Sequence, residues 1–211
     1  GVTRTDQYGW LRATNWQEVF RDPSKLAPEI RTQLEAENAF QQTLMADTTD
    51  LRAAIFQEMK GRIKEDDSSV PMADGLFAYG SSFKKGGEQP RFFRTPREGG
   101  AVDILLDGDA EAEGKAYFRL AGVDHAPNHG RLAWSFDDKG SEYFTIRVRD
   151  LATRTDLVDA VPNTGGSAVW LPDSDGFLYT QLDDNHRPSK IFHHRIGDPA
   201  SADRLIYAED D

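Results

Sequence analysis

The stretch that decides the fold is residues 127–134, which read PNHGRLAW: a proline, small or polar residues, a glycine, and then a short run with an aromatic residue. The same order occurs at residues 71–79 (PMADGLFAY) and 172–179 (PDSDGFLY). Turn-forming residues placed before aromatic and aliphatic runs are typical of a turn that leads into a strand. The chain therefore contains three copies of one turn-and-strand pattern.

Each copy is followed by the same succession of features: a polar turn, a further strand and a fourth apolar stretch. The turns occupy residues 84–87, 137–140 and 183–185, the third strands 91–95, 144–149 and 190–195, and the fourth stretches 102–106, 157–161 and 205–207. Four antiparallel strands in about 40–50 residues is the size of a β-propeller blade. The alternative is an ordinary antiparallel sandwich with repeated hairpin turns, which would share the turns but not the stacked units.

The spacing of the copies gives a second, weaker argument for repeats. Pro71 and Pro127 are 56 residues apart, whereas Pro127 and Pro172 are 45 residues apart. The longer interval contains residues 109–113 (DAEAE), which predict a short helical insertion. We expect all three prolines to occupy equivalent places, each in an element that turns the chain from an inner strand to the second strand.

The first part of the chain has a helical pattern. Residues 28–45 are rich in Glu, Gln, Ala and Leu and predict a long helix. A second helix should begin with Thr49 or Asp50 as its cap and end at Gly61 in a left-handed conformation. A shorter helix is predicted around residues 16–21. The sequence thus predicts a mainly β chain, with two to three N-terminal helices ahead of about three four-stranded blades of an incomplete propeller.

The domain boundary follows from this change of pattern and from charge. We expect a helical segment over residues 1–65 and a partial propeller over residues 66–211, with blades at roughly 66–119, 120–164 and 165–211. The first segment holds 9 basic and 10 acidic residues, and the rest holds 16 and 26, within a total formal charge of −11. Such an acidic surface excludes nucleic acid as a partner and biases the protein towards basic partners.

Composition excludes several further classes. The mean hydropathy is −0.64, and no apolar run approaches 18 residues, so no membrane span is predicted. The absence of cysteine excludes disulfides, thiolate zinc sites and a cysteine nucleophile, and fits a reducing compartment, so we expect a cytoplasmic protein. Residues 1–25 lack the pattern of a signal peptide, and the start at Gly1 indicates a chain trimmed from something longer.

Four segments carry a resemblance to a known family. Residues 59–71 (MKGRIKEDDSSVP) are the most specific, and residues 6–12 (DQYGWLR), 34–39 (LEAENA) and 143–151 (YFTIRVRDL) add to them. The chain resembles the prolyl oligopeptidase family of serine peptidases, and most closely its oligopeptidase B (protease II) branch. Tyr8-Gly9 departs slightly from the family pattern, in which a second aromatic is common at this place. The resemblance extends over essentially the whole chain.

The resemblance implies a larger parent enzyme. In the family, a seven-bladed propeller caps an α/β-hydrolase domain that holds the whole Ser–Asp–His triad. It implies that the parent cleaves short peptides after Arg or Lys, and that the N-terminal helices lie against the hydrolase domain. This chain would then hold about three blades and lack the catalytic domain, which becomes its expected partner, with short basic peptides as substrate.

A search for catalytic residues within the chain supports this interpretation. The segment that most nearly matches the G-x-S-x-G motif of a nucleophile elbow is residues 165–169 (GGSAV). Val169 replaces the last glycine of the motif, and a strand, not a helix, is predicted to follow. Ser167 is therefore interpreted as a turn residue.

The metal-binding candidates are equally weak in the sequence. His125 and His129 have a helical ligand spacing, but Pro127 lies between them and suggests a surface loop. His193 and His194 are neighbours on a predicted strand and should point to opposite faces. The acidic stretch at residues 107–111 lacks the glycine and glutamate of a calcium loop. We therefore predict no catalytic residue, no metal site and no cofactor in this chain.

Paired acids at 66–67 and 183–184 are interpreted as solvated turns that could face a tunnel.

Two function classes remain. The first is a non-catalytic part of a serine oligopeptidase whose propeller gates substrate entry, with inner strands around residues 120–125 and 167–170 lining the tunnel. The second is a free-standing propeller-type module that binds proteins or peptides. The downstream reading frame distinguishes them: a G-x-S-x-G elbow after four more blades supports the first, and a stop codon after Asp211 supports the second.

An arc of three blades leaves aromatic-rich faces and unpaired strand edges at both ends. Such surfaces recruit partners, so we expect the 211-residue chain to self-associate. Size-exclusion chromatography with light scattering at tens of micromolar checks this, and a monodisperse monomer would contradict it.

Overall fold

The structure is a computed structural model that describes residues 3–209, and it divides into two compact units between Lys64 and Glu65. The first unit contains three α-helices: α1 (Trp16–Arg21), α2 (Pro28–Leu44) and α3 (Thr49–Gly61). Short 3-10 turns occur at Gly9–Leu11, Pro23–Lys25 and Ala46–Thr48.

The three helices confirm the sequence pattern except at the two ends of α3. Helix α2 has Pro28 at its first position, where the missing N–H costs nothing because the first amides of a helix have no internal partner. The predicted cap of α3 at Thr49 or Asp50 is wrong: the cap residue is Thr48, and Thr49 is already the first helical residue. The predicted left-handed stop at Gly61 is wrong. Gly61 is the last helical residue, and Arg62 follows in a right-handed conformation, with its N–H donated to Met59.

The second unit contains two antiparallel sheets. Four strands form the first sheet in chain order: β1 (Met72–Asp74), β2 (Phe77–Ser82), β3 (Arg91–Pro96) and β4 (Asp103–Asp107), followed by the short helix α4 (Gly108–Ala112) where the insertion was predicted. Seven strands form the second sheet, also in chain order: β5 (Arg119–His125), β6 (Arg131–Asp137), β7 (Phe144–Asp150), β8 (Thr155–Trp170), β9 (Gly176–Leu182), β10 (Pro188–Arg195) and β11 (Arg204–Ala208). A 3-10 turn at Ala200–Ala202 precedes β11.

The long strand β8 belongs to two four-stranded units. Its first half pairs with β7 from Thr155 to Val161, and its last residues, Ala168 to Trp170, pair with β9. Thr164 pairs with both neighbours, at the point where the chain crosses from one unit to the next. We call β1–β4 blade 1, β5–β7 with the first half of β8 blade 2, and the second half of β8 with β9–β11 blade 3.

This topology confirms the propeller and excludes the sandwich. All four strands of each unit lie side by side in chain order, so each unit is a blade with one inner and one outer edge. The inner strands of blades 2 and 3, which are β5 and the second half of β8, contact each other. The described residues contain no closed ring of sheets, as three blades of a larger propeller require.

Two of the three repeated prolines are equivalent. Pro127 and Pro172 each lie in the turn after an inner strand. In both turns a residue with positive φ closes the hairpin: His129 (φ 58°) donates its N–H to Ala126 at 2.8 Å, and Ser174 (φ 62°) donates to Leu171 at 2.9 Å.

The third proline is not equivalent, and the expectation for it is wrong. Pro71 lies before β1, between the Ser68–Ser82 bridge and the pairing of Met72 with Tyr79. Blade 1 turns instead through Gly75, whose φ of +53° suits a tight two-residue connection. Proline occurs both in turns and on edge strands, where its lack of an N–H is tolerated. A repeated proline therefore does not by itself show which positions of the three blades are equivalent.

The core lies between the blades rather than within any one of them. Strand β6 alternates its side chains between two interfaces: Leu132 and Trp134 pack towards blade 1, whereas Ala133 packs towards blade 3. The blade 1–blade 2 cluster of buried residues contains Leu105, Leu106, Leu132, Trp134 and Leu151. The blade 2–blade 3 cluster contains Ala133, Ile146, Val148, Val161, Ala168, Phe177 and Tyr179.

A buried polar network also joins blades 2 and 3. His194 of β10 lies between two carboxylates, with Nε2 2.9 Å from Asp159 of β8 and Nδ1 2.7 Å from Asp203. The side chains of all three residues are at most 1% exposed. Tyr179 donates its hydroxyl to the other oxygen of Asp203, and burial, reinforced by this bond, raises the pKa of Tyr179. Asp159 also accepts the backbone N–H of Gly197 at 2.6 Å, so the network ties the outer strand of blade 2 to β10 and to the turn before β11.

The packing predicts unequal costs for two truncations in blade 3. Phe177→Ala removes a ring with 0% exposure and should lower the free energy of unfolding by about 3–5 kcal/mol, because it leaves a cavity between blades. Leu205→Ala, at a residue that is 50% exposed, is the matched control and should cost under about 1 kcal/mol. Urea denaturation measures both. Equal losses would show that blade 3 is not held through this face.

Candidate functional site

The inner strands of all three blades meet around one open hollow of about 430 Å³. Its lining includes Asp74 of β1, Asp124 and His125 of β5, and Val169 and Trp170 of β8. We call this space the acidic hollow. It lies where the sequence predicted a tunnel lining, around residues 120–125 and 167–170.

A larger hollow of about 920 Å³ lies between the β2–β3 turn and α4. It carries Lys84, Lys85 and Lys115 beside Asp109 and Glu113, so its charges are mixed. It is lined by the β2–β3 turn, α4 and the segment that leads into β5, and its lining includes no residue of blade 3, whereas the acidic hollow is lined by all three blades. The acidic hollow is therefore the better candidate for a functional site.

Cross-blade hydrogen bonds hold the walls of the acidic hollow in place. Trp170 donates its indole N–H to the carbonyl of Asp124 at 2.9 Å and so ties blade 3 to the inner strand of blade 2. Nearby, Ser135 of β6 donates to the carbonyl of Gly166 at 2.5 Å. A Cβ at Gly122 would lie 2.4 Å from that same carbonyl, so the inner strands approach closely only because this position is glycine.

The two acids of the hollow differ in their surroundings. Asp124 is partly buried, and this burial raises its pKa, although the backbone N–H of Ala168 offsets part of the effect. Asp74 is exposed, and the hydrogen bond to His125 lowers its pKa. Carboxylates with perturbed pKa values in a cleft are typical of functional sites.

A cluster of aromatic and imidazole rings borders the hollow at the interface of blades 1 and 2. His125 Nε2 lies 2.7 Å from Asp74 Oδ2, and the His125 ring stacks on Tyr79 with 3.6 Å between centroids. The Tyr79 hydroxyl lies 2.8 Å from His129 Nδ1. We call Asp74, Tyr79, His125 and His129 the histidine cluster.

Local backbone features position His129. Its positive φ turns the side chain back over blade 1, and Arg94 of β3 donates to its carbonyl at 2.7 Å while also binding Asp103 at 2.9 Å. The position of a Cβ at Gly75 is 2.5 Å from His129 Nε2, so any larger residue would displace the ring.

Three members of the histidine cluster have the donor set of a metal site. One oxygen of Asp74 and one nitrogen each of His125 and His129 all lie within 4.8 Å of one another. Sequence reasoning dismissed the two histidines because Pro127 breaks the helix that their spacing suggested. The strand end and the tight turn bring them together instead. Asp74 could not be predicted as a partner from the residues near the two histidines, because it lies in another blade.

The other candidate residues from the sequence analysis lie in strands or turns. Ser167 lies exposed within β8 rather than in a turn, and no strand-to-helix turn forms around it, so it does not have the geometry of a nucleophile elbow. Asp109 accepts the backbone N–H groups of Glu88 and Gln89. His194 is buried whereas His193 is partly exposed, as neighbouring positions on a strand require.

The paired acids at 183–184 organise a turn. Asp183 accepts the N–H groups of Asn185 and Arg187, and these bonds lower its pKa. Asp137 occupies the corresponding turn of blade 2 and accepts the N–H of Glu142 in the same way. Both acids thus hold hairpins together, and neither of them lines the acidic hollow.

These features define a class: a stack of propeller blades with a charged opening at its inner edges. The chain belongs to the prolyl oligopeptidase family, because the model of the family's N-terminal β-propeller domain matches residues 1–211. Within residues 3–209, no helix is both long and apolar enough to cross a membrane.

Similar proteins point to one branch of the family. Dipeptidyl aminopeptidase BI of Pseudoxanthomonas mexicana is 31% identical over 229 residues, and protease 2 of Moraxella lacunata is 29% identical over 219. The match covers 100% of this chain but only 30% of either relative. Oligopeptidase B of Leishmania major superposes with a TM-score of 0.89 at 29% identity, over 99% of this chain and 29% of that one. Oligopeptidase B of Trypanosoma brucei gives 0.86 at 31%, over 99% and 28%. The chain is therefore an oligopeptidase B-like N-terminal propeller portion.

The raised pKa of Asp124 makes a testable statement about stability. Because the folded state disfavours the carboxylate form of Asp124, ionisation of this group lowers the free energy of unfolding as the pH rises above the usual Asp pKa near 4. At lower pH the group is protonated in both the folded and the unfolded state, and this loss of stability is absent. Asp124→Asn should therefore raise the melting temperature at pH 7 by roughly 1–3 °C, with the gain disappearing near pH 3. Asp138→Asn, at an exposed turn residue, is the control with the same charge change. A lower melting temperature for Asp124→Asn at pH 7 would contradict this account.

Proposed function

We propose that this chain is part of a serine oligopeptidase that cleaves short peptides after Arg or Lys, and that its blades gate access to the active site. The observation that carries the proposal is the convergence of three inner strands on one acidic hollow. The similarity to oligopeptidase B and protease 2 supports it. The catalytic triad would come from an α/β-hydrolase domain outside this chain.

The electrostatics of the hollow suit a cationic substrate. Asp74 and Asp124 contribute carboxylates at the opening, within a chain of formal charge −11. Two unit charges 8 Å apart attract by about 0.5 kcal/mol in water and by more between low-dielectric walls. Arginine and lysine side chains would therefore be concentrated there. A narrow opening between blades would also exclude folded proteins by size.

The helical unit supports the presence of a further domain. Several apolar side chains of α3 are exposed, among them Leu51, Phe56 and Met59, at 61–64%. Apolar side chains repeated along one helix are usually covered by another surface. The family resemblance implies that this surface belongs to the hydrolase domain. We further propose a cytoplasmic location, which the absence of cysteine supports.

A second specificity is favoured by one relative. The name dipeptidyl aminopeptidase BI describes removal of dipeptides from amino termini, and that protein is 31% identical to this chain. An acidic hollow attracts an α-ammonium group as well as it attracts a guanidinium. Substrates with free and blocked amino termini distinguish the two: cleavage of blocked Arg-linked peptides supports the endopeptidase, and a strict need for the free amine supports dipeptide release.

The first experiment asks whether the complete protein containing this chain is the proposed enzyme. It should hydrolyse chromogenic peptides linked through Arg or Lys and leave Pro-linked analogues largely uncleaved, whereas the 211-residue chain alone should be inactive. Absence of any hydrolysis by the complete protein, or hydrolysis by this chain alone, would overturn the proposal.

The second experiment tests the role of the hollow. In the complete protein, Asp124→Asn should raise KM for Arg-linked peptides by roughly two- to fivefold at about 10 mM salt, with kcat unchanged, and the effect should shrink at about 0.5 M salt. Asp138→Asn removes the same charge outside the hollow and should leave KM near its original value. If the two variants behave alike at low salt, the hollow does not filter by charge.

A further inference from the structure

The gating function uses the carboxylate of Asp74 but gives no role to the other three members of the histidine cluster, Tyr79, His125 and His129. We propose that this cluster binds one divalent transition-metal ion, with Asp74, His125 and His129 as its ligands. The ion would connect the inner strand of blade 1 to the inner edge of blade 2.

The donor set determines the class of ion. Two imidazole nitrogens and one carboxylate oxygen favour Zn²⁺ and similar first-row ions over Mg²⁺ or Ca²⁺, which prefer oxygen ligands alone. The three donor atoms already lie within 4.8 Å of one another. The side chain of Asp74 is 59% exposed, so the ion has a path of entry, and a water molecule can occupy a fourth position.

A second shell is already in place around His129. The Tyr79 hydroxyl lies 2.8 Å from His129 Nδ1. Nε2 is therefore the ring nitrogen that would bind the ion. That same Nε2 lies 2.5 Å from the position of a Cβ at Gly75, the residue next to Asp74. Metal-bound histidines usually donate their other N–H to a carboxylate, a backbone carbonyl or water, which fixes the tautomer and the ring orientation, and the Tyr79 hydroxyl would take that place here.

Forming the site requires the side chains to move, because the His125 and His129 rings lie nearly parallel, with 5.6 Å between centroids and 18° between planes. Donor atoms bound to one Zn²⁺ at about 2.0–2.1 Å lie roughly 3.3 Å apart in a tetrahedral arrangement. The Asp74–His125 pair, now at 2.7 Å, must open slightly, whereas His129 must approach. Asp74 is exposed and can move, and at least one of the two imidazoles must rotate so that both ring nitrogens point at the ion.

The test is calorimetric titration of the 211-residue chain, freed of metal by a chelator, with zinc chloride. One ion per chain should bind with a dissociation constant in the micromolar range or below. Asp74→Asn, which keeps the shape of the side chain, and His129→Gln should each weaken binding at least tenfold. Tyr79→Phe keeps the ring stack but loses the hydroxyl on His129 and should weaken binding about 10- to 100-fold. His193→Gln, outside the cluster, is the control and should bind as the original chain does.

A second measurement keeps the proposal falsifiable if a variant fails to fold. In the unaltered chain, zinc should shift the NMR signals of the His125 and His129 imidazoles and leave those of His193 unchanged. Binding of less than one ion, unchanged affinity in folded Asp74→Asn and His129→Gln, or no shift at His125 and His129 would each overturn the metal site. None of these outcomes depends on peptidase activity.

Discussion

Face-to-face stacking of blades is the constraint on which this structure depends. A single four-stranded blade exposes two apolar faces, and strand β6 shows how the middle blade resolves this: Leu132 and Trp134 are covered by blade 1, and Ala133 by blade 3. The free energy of hydrophobic burial scales with the apolar area removed from water. Separation of blade 1 or blade 3 from blade 2 would therefore expose a buried cluster and destabilise the fold. Stacking also sets the relative positions of the inner strands.

The acidic hollow is a consequence of that stacking rather than of any local motif. Asp74, Asp124 and Trp170 come from three different blades and meet only because the inner edges are aligned. Polar contacts then refine the alignment. The indole of Trp170 binds the carbonyl of Asp124, and the buried His194 network joins the outer part of blades 2 and 3. Apolar area holds the blades together, and hydrogen bonds fix their register.

Much of the architecture could be predicted from the sequence because turn residues and strand periodicity are local properties. The strands after Gly130 and Gly176, the short helix α4 and the start of α2 at Pro28 all follow from nearby residues. Pro71 was misplaced because proline serves in an edge strand as well as in a turn. Gly61 was misassigned because a glycine permits a left-handed end but does not require it.

The site could not be predicted in the same way, because its members are distant in the chain. His125 and Asp74 are 51 residues apart, and Tyr79 and His129 are 50 apart. Local spacing suggested only a helix pair at His125 and His129, which Pro127 excluded. What joins these residues is the packing of blade 1 against blade 2, and no single-segment pattern encodes that contact. The family resemblance predicted the fold but carried no information about this cluster.

The most direct test of blade stacking is a double-mutant cycle across a ring stack that joins blades 1 and 2. Tyr79 and His125 stack with 3.6 Å between ring centroids and 5° between planes. Unfolding free energies of the original chain, Tyr79→Leu, His125→Leu and the double variant should give a coupling of about 0.5–1.5 kcal/mol, typical of aromatic pairs in contact. Additivity within about 0.3 kcal/mol would mean that the two blades do not meet at their inner edges.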